Sequence, residues 1–187
     1  GSLATYTPNS DYNGDDSFIF TVSDGDLSDS ATVTLTIDSV NDAPVLATIS
    51  DVIFDEDSST TITVSGSDVD GNALSFSITD GIDIIATLID TDITFSAPDN
   101  FNGSEIFTVS VIDGEYIDSQ SISVTVLAVN DPPLATTGLS GITNEDQFII
   151  IALSGSDIDG DELTFSLESD ATNGSVSIDG SLATYTP

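Results

Sequence analysis

Residues 17–22 read Ser17-Phe18-Ile19-Phe20-Thr21-Val22, and residues 32–37 read Thr32-Val33-Thr34-Leu35-Thr36-Ile37. In both stretches apolar side chains recur at every second position. Phe18, Phe20 and Val22 therefore share one face of an extended chain, with Ile19 opposite; Val33, Leu35 and Ile37 share another, with threonines opposite. A period of two marks strands with one covered side and one solvated side. Val, Ile, Thr and Phe also favour pleated, half-buried backbone. The same pattern returns in Phe107, Val109, Val111 and in Ile122, Val124, Val126. Further strands fit near 60–66, 73–79, 84–88 and 92–96, separated by Asp, Asn and Gly clusters. No window carries the i, i+3, i+4, i+7 spacing of a sustained helix. About seven short strands in roughly 90 residues is the pattern of an Ig-like β-sandwich, so the expectation is an all-β chain.

The chain also repeats itself. Asp68-Val69-Asp70-Gly71 recurs 89 residues later as Asp157-Ile158-Asp159-Gly160, and Glu56-Asp57 recurs as Glu145-Asp146. The same offset carries Asn13-Gly14 onto Asn102-Gly103, Asp24-Gly25 onto Asp113-Gly114, and Val40-Asn41-Asp42 onto Val129-Asn130-Asp131. Residues 1–8, Gly-Ser-Leu-Ala-Thr-Tyr-Thr-Pro, reappear unchanged at 180–187, an offset of 179 that amounts to two units. Matches in such number at one offset define a tandem repeat. The expected domains are 1–43 as the back portion of a repeat, 44–132 as a complete repeat, and 133–187 as the front portion of the next.

Composition narrows the function. The 187 residues hold no Lys, Arg or His against 33 Asp and Glu, for a formal charge of −33. Average usage would place about twenty Lys and Arg in a chain of this length. Nucleic acid is excluded as a partner, because binding it rests on Lys and Arg against phosphates. Membrane insertion is not expected, since no apolar run approaches the roughly 20 residues of a spanning helix. The usual catalytic bases, thiol nucleophiles and phosphate clamps are missing, and the acids recur with the repeat, so no enzyme is expected. A fold so charged repels itself unless cations come from outside.

The carboxylates gather at strand ends. In Asp68-Val69-Asp70-Gly71 the i, i+2 spacing lets two carboxylates converge while glycine turns the chain. Calcium takes six to eight oxygens from carboxylates, Asn side chains and carbonyls. Asn41-Asp42 and Asn130-Asp131, just ahead of prolines, add oxygens at the unit boundaries. Asp157, Asp159, Asp161 and Glu168 imitate the spacing of an EF-hand, but the sixth position is Glu162 where that loop needs glycine. Leu163-Thr164-Phe165-Ser166-Leu167 moreover alternates like a strand.

Taken together, Val40-Asn41-Asp42-Ala43-Pro44, Glu56-Asp57, Asp68-x-Asp70-Gly71, Phe107-Thr108-Val109 and Asp113-Gly114 resemble the bacterial cadherin-like repeats of very large surface and secreted proteins. The resemblance covers essentially the whole chain. It implies tandem Greek-key sandwiches with Ca²⁺ between successive domains. Asn41 and Asp42 would then meet Asp68, Asp70 and Asp113 at the first junction. Glu56, Asn130 and Asp131 would meet Asp157 and Asp159 at the second. Asp24 would act as Asp113 does toward a preceding junction, and Glu145 repeats Glu56. The acidic pair that animal cadherins carry mid-domain has no counterpart here unless the Asn13 to Asp16 turn replaces it.

The resulting expectation is a calcium-rigidified extracellular spacer or filament subunit, as in an adhesin. The alternative is a calcium-dependent adhesion module for carbohydrate or protein ligands, with Tyr116 as its candidate contact. The expected partners are further copies of the repeat, head to tail, with the end of one copy completing its sandwich with the start of the next. Continuation within a longer chain is expected ahead of association between separate chains.

Overall fold

A computed structural model describes residues 2–187, and among them it shows sixteen strands and no helix. Contacts divide the chain into two compact units, Gly1–Leu127 and Ala128–Pro187.

The first unit opens with a hairpin of β1 (Gly14–Ser23) and β2 (Ser28–Ile37), paired without a slip from Gly14↔Ile37 to Ser23↔Ser28. Nine strands follow: β3 (Val45–Leu46), β4 (Val52–Asp55), β5 (Ser59–Thr63), β6 (Gly66–Ser67), β7 (Ser75–Ile78), β8 (Ile85–Ile89), β9 (Asp92–Ser96), β10 (Gly103–Ile112) and β11 (Ile117–Leu127). One layer has the order β4-β11-β10-β7, with β4 parallel to β11 and the other pairs antiparallel. The other is β5-β9-β8, and β3 pairs with β6. The β10–β11 hairpin therefore has a neighbour along each of its edges. Alternation turns Phe107, Val109, Val111, Ile122, Val124 and Val126 inward, where they meet Ile93 and Phe95 of the facing layer. Phe95 and Phe107 lock the layers edge to face, with ring centroids 5.4 Å apart. Outward positions pair hydroxyls instead, as Thr61 with Thr94 at 2.8 Å and Ser104 with Thr125 at 2.9 Å.

One strand expected over 60–66 is in fact two. β5 ends at Thr63, the chain bends inward at the buried Val64, and Gly66–Ser67 pairs with β3 rather than β9. The crossing is tight, since a Cβ on Gly66 would stand 3.0 Å from the Val45 carbonyl oxygen.

The second unit holds β12 (Leu134–Ala135), β13 (Ile149–Ala152), β14 (Gly155–Ser156), β15 (Ser175–Asp179) and β16 (Leu182–Thr186). β12 pairs with β14 as β3 does with β6, and β13-β16-β15 repeats β5-β9-β8. The described residues of this unit form no second layer facing β13-β16-β15. Residues 141–144 and 164–167, which lie 89 residues after β4 and β7, form no strand. The alternation of Leu163–Leu167 pointed to a strand; without the neighbour that β10 gives β7, its backbone groups have no ladder to join. Among the described residues none before Pro44 or after Val126 is buried. The closed core belongs to the sandwich of β3–β11 alone, an Ig-like all-β fold.

Candidate metal centre

In the first unit the turn after β6 is built by one side chain. Asp68 Oδ1 accepts the amides of Asp70 at 2.9 Å and Asn72 at 3.1 Å, and the Gly71 amide donates to the Asp68 carbonyl at 3.3 Å. The other oxygen, Asp68 Oδ2, is sealed from solvent and has no hydrogen-bond partner. Leaving such an oxygen unsatisfied costs about 1–3 kcal/mol, and more when it is charged.

The linker after β2 is tied to this turn. The Asp42 amide donates to Asp70 Oδ2 at 2.8 Å, and Asn72 Nδ2 donates to Asn41 Oδ1. Asn41 Nδ2 donates to Asp113 Oδ2 at 2.8 Å, while Asp113 Oδ1 accepts the amides of Glu115 and Tyr116, each at 2.7 Å. Those two amides first, and Asn41 with them, hold the Asp113 carboxyl below the ordinary aspartate range. Asp24, at the turn between β1 and β2, is lowered in the same way by the amides of Leu27 and Asp26. A polar cleft of about 360 Å³ adjoins the linker, lined by Asp11, Asn13, Ser39, Asn41, Asp70 and Asn72.

Thus Asn41, Asp42, Asp68, Asp70 and Asp113 form one hydrogen-bonded group. Asp24 serves only its own turn. Of the Asn13 to Asp16 turn, Asn13 lines the cleft. Asp15 instead accepts from Thr36 Oγ1 at 3.0 Å, and Asp16 accepts from the Tyr6 phenol at 2.7 Å. Asp11 and Asn72 were not anticipated. The signal for Asn72 was present, since Asp68-x-Asp70-x-Asn72 recurs as Asp157-x-Asp159-x-Asp161. Asp11 matches Asn100 at the repeat offset, and both take the left-handed backbone, with φ of 60° and 58°.

The second unit repeats the part of this network that joins the linker to the Asp-x-Asp turn. The Asp131 amide donates to Asp159 Oδ2 at 2.7 Å, and the amides of Asp159 and Asp161 donate to Asp157 Oδ1 at 3.0 and 3.2 Å. Asn130 Nδ2 donates to the Asp131 carbonyl at 3.1 Å. The two glutamates differ. Glu56, in the first unit, is 4% exposed; its amide donates to the Leu127 carbonyl at 2.9 Å, and Asn102 Nδ2 stands 3.5 Å from its Oε2. Glu145, its counterpart in the second unit, is exposed. Everything these groups offer is a hard oxygen, which suits Ca²⁺ or Mg²⁺ and not a soft metal.

Comparison with known proteins places this architecture. The bacterial Ig domain family matches residues 1–36, 41–125 and 130–187, and the chain belongs to that family. Among solved structures it is similar to domains EC1-2 of human protocadherin-24, with a TM-score of 0.51 and 17% identity, covering 79% of this chain and 78% of that one. Extracellular cadherin domains 1–4 of protocadherin gamma B7 give a TM-score of 0.51 and 20% identity, over 92% of this chain and 48% of that one. These likenesses agree in the cadherin-like sandwich. A comparison with curated protein sequences gives no match. Ig and cadherin-like domains are structural or adhesion-type modules, non-enzymatic as a class and typically extracellular. No helix among the described residues is long and apolar enough to cross a membrane.

Proposed function

We propose that this chain is a calcium-stiffened extracellular spacer, in which Ca²⁺ held at strand ends and linkers sets the angle between successive sandwiches. The observation that carries this reading is Asp68 Oδ2. It is a carboxylate oxygen withdrawn from water, without a donor, in a chain that has no Lys, Arg or His to offer one. A bound cation is one compensation open to a buried anionic oxygen, and the one that the acidic groups gathered around it favour. The donors around it fit a calcium ion in kind: Asp68, Asp70 and Asp113 with Asn41 and Asp42 of the linker, and Asp11 and Asn13 across the cleft. Asp157, Asp159, Asn130 and Asp131 would do the same for the second unit.

When bound, the ion supplies the positive charge that the sequence omits. The chain's own part is to fix the linker. Asp70 and Asp113 anchor Asp42 and Asn41, and Pro44 stiffens the entry to β3 by fixing φ. Without the ion the carboxylates repel and the linker flexes. Isothermal titration with Ca²⁺, paired with small-angle scattering in calcium and in chelator, tests this. Saturable binding with a longer, stiffer particle in calcium is expected. Absence of binding, with an unchanged scattering curve, would overturn it.

A further inference from the structure

We infer that the open edge of β8 is a lateral contact between two copies of this chain, which pair antiparallel about Thr87 into one continuous sheet. In the complete sandwich the order β5-β9-β8 gives β8 a neighbour along one side only. Its side chains alternate. Ala86 and Leu88 pack against the core, while Ile85, Thr87 and Ile89 point outward. Ile85 and Ile89 are 58% and 68% exposed. The other edge strands of this sandwich are built differently: β5 turns out Ser59, Thr61 and Thr63, β7 turns out Ser75 and Ser77, and β4 turns out Ile53 beside Asp55. Of these four edges, β8 alone carries two exposed large aliphatics and no charge.

The repeat shows that the fold does not require those aliphatics. β15 holds the place of β8 in the order β13-β16-β15. Ile85↔Ser96 and Ile89↔Asp92 correspond there to Ser175↔Thr186 and Asp179↔Leu182. The outward set Ile85, Thr87 and Ile89 is thus replaced by Ser175, Ser177 and Asp179. A charge on an edge strand discourages the addition of a further strand. One repeat carries that protection, and the other leaves it out.

A second copy is the occupant that fits. The outward residues of β8 read Ile-Thr-Ile in either direction, so a two-fold axis at Thr87 sets Ile85 of one copy opposite Ile89 of the other. Ile89 and Asp92 close a turn of Asp90 and Thr91. Bonded and unbonded pairs alternate along an antiparallel ladder, so with this closing pair bonded the N–H and C=O of Ala86 and Leu88 face the free edge. The same axis places Ala86 of one copy opposite Leu88 of the other, which joins those free groups. A partner of opposite charge would seat on the carboxylates instead. An acidic copy comes close where acids are absent, and between Asp83 and Asp90 there is none. The edge is also presented preformed: the amides of Ile82, Asp83 and Ile84 donate to the Glu105 carboxylate at 2.8, 2.7 and 3.2 Å, which fixes the loop entering β8. The pairing uses one edge of each copy, so the association closes as a symmetric dimer.

A joint between two strands of five residues is small beside the ~1,200–2,000 Å² of stable interfaces, so a covalent trap is the sensitive readout. The chain has no cysteine, and introduced thiols report the contact directly. Directly opposed residues of paired strands lie within disulfide reach. Thr87→Cys should link to itself at least tenfold faster than Thr61→Cys on the β5 edge. Ile85→Cys mixed with Ile89→Cys should link to one another at least tenfold faster than either links to itself. Every arm contains chelator, so that calcium bridging between acidic copies cannot imitate the joint, and high salt, which screens their repulsion. Adding Ile85→Ser and Ile89→Asp to the Thr87→Cys chain installs the residues of the other repeat at exposed positions. Linking should then fall at least tenfold while the melting of the sandwich is unchanged. Self-linking of Ile85→Cys as fast as its linking to Ile89→Cys would overturn the proposal. So would Thr87→Cys linking no faster than Thr61→Cys, or indifference to the Ser and Asp replacements. Because calcium is absent throughout, a failure here is separate from a failure of calcium binding.

Discussion

The hairpins β1–β2 and β10–β11 descend from one sequence pattern and form the same ladder, yet only one of them becomes part of a core. Ten residue pairs from Gly14↔Ile37 to Ser23↔Ser28 are matched by ten from Gly103↔Val126 to Ile112↔Ile117. Both turn at Asp-Gly, with φ of 107° at Gly25 and 108° at Gly114. Both aspartates at the turn accept two amides. Everything local is shared. What separates them is the presence of β4, β7 and the facing layer, which bury Phe107, Val109 and Val111; Phe20 and Val22 stay wet and Phe18 only half-buried. Hairpin geometry is thus a property of the segment, whereas the hydrophobic stabilisation is a property of the assembled repeat.

The strongest way to break this comparison is to truncate matched core positions. Phe107→Ala removes a fully buried ring that stacks on Phe95, and the cost expected is about 3–5 kcal/mol. Phe18→Ala at the equivalent site is expected to cost under about 1 kcal/mol in dilute monomer, because the ring there is only partly covered. Hydrogen-exchange protection of the β10 and β1 amides reads the two separately. Equal losses would mean that the hairpins are equally packed in solution.

Removing calcium tests the carboxylate groups at the next level. For one site occupied at a hundredfold excess over its Kd, linkage gives about 2.7 kcal/mol. Asp68→Asn should remove most of that gain in the first unit. It should leave the chelator-treated protein no less stable, since it discharges the buried orphan oxygen. A melt with calcium and with chelator, on both proteins, checks it. Loss of stability in chelator on Asp68→Asn would show that the carboxylate is satisfied without a metal.

How much of this was legible in the chain follows from the same distinction. Alternation and the repeat offset were enough to place β1, β2, β10 and β11 and the acidic groups after β6 and β14, because these depend on neighbours in sequence. The break of the 60–66 strand at Val64 depends on Val45, whose carbonyl crowds Gly66 from a separate strand, so no local pattern announces it. The loss of strand at 164–167 depends on a partner strand and not on its own residues, whose alternation is intact. Asp11 entered the cleft because a left-handed turn carries it there; Asp15 and Asp16 were the more obvious acids but are held by Thr36 and Tyr6.

Acid separates the hairpins by a smaller margin. Desolvation tends to raise the Glu105 carboxyl, but the amides of Asp83, Ile82 and Ile84 outweigh it and hold it below the ordinary range. Its counterpart Asp16 is lowered by the Tyr6 phenol and the Ser17 amide, both close in sequence. A carboxyl lowered on folding contributes stability that is complete above its unfolded value, about 4.3 for Glu. That stability is lost as pH falls through the depressed folded value. Solvent reaches Glu105 and screens its charge, so Glu105→Ala should cost the complete sandwich only about 1 kcal/mol at neutral pH. It should also flatten the acid limb below about pH 4. Asp16→Ala, on the open hairpin, should leave the unfolding midpoint of the sandwich where it was. Chemical denaturation from pH 7 to pH 3 checks both; an unchanged acid limb for Glu105→Ala would show that the three amides are not its ligands in solution.

The smallest effect is expected where the two hairpins are alike. Ile19 and Ile106 occupy the same outer-face position and are 70% and 75% exposed. Replacing either with threonine keeps a β-branched side chain on a solvated strand face, where surrounding positions already carry Thr and Ser. Ile19→Thr and Ile106→Thr should each change stability by no more than about 0.5 kcal/mol, and by the same amount. A clear loss for Ile106→Thr alone would mean that the outer face of the complete sandwich is covered in solution, and a loss for Ile19→Thr alone would place a contact on the outer face of the β1–β2 hairpin. Agreement between them would confine the difference between the hairpins to their inner faces.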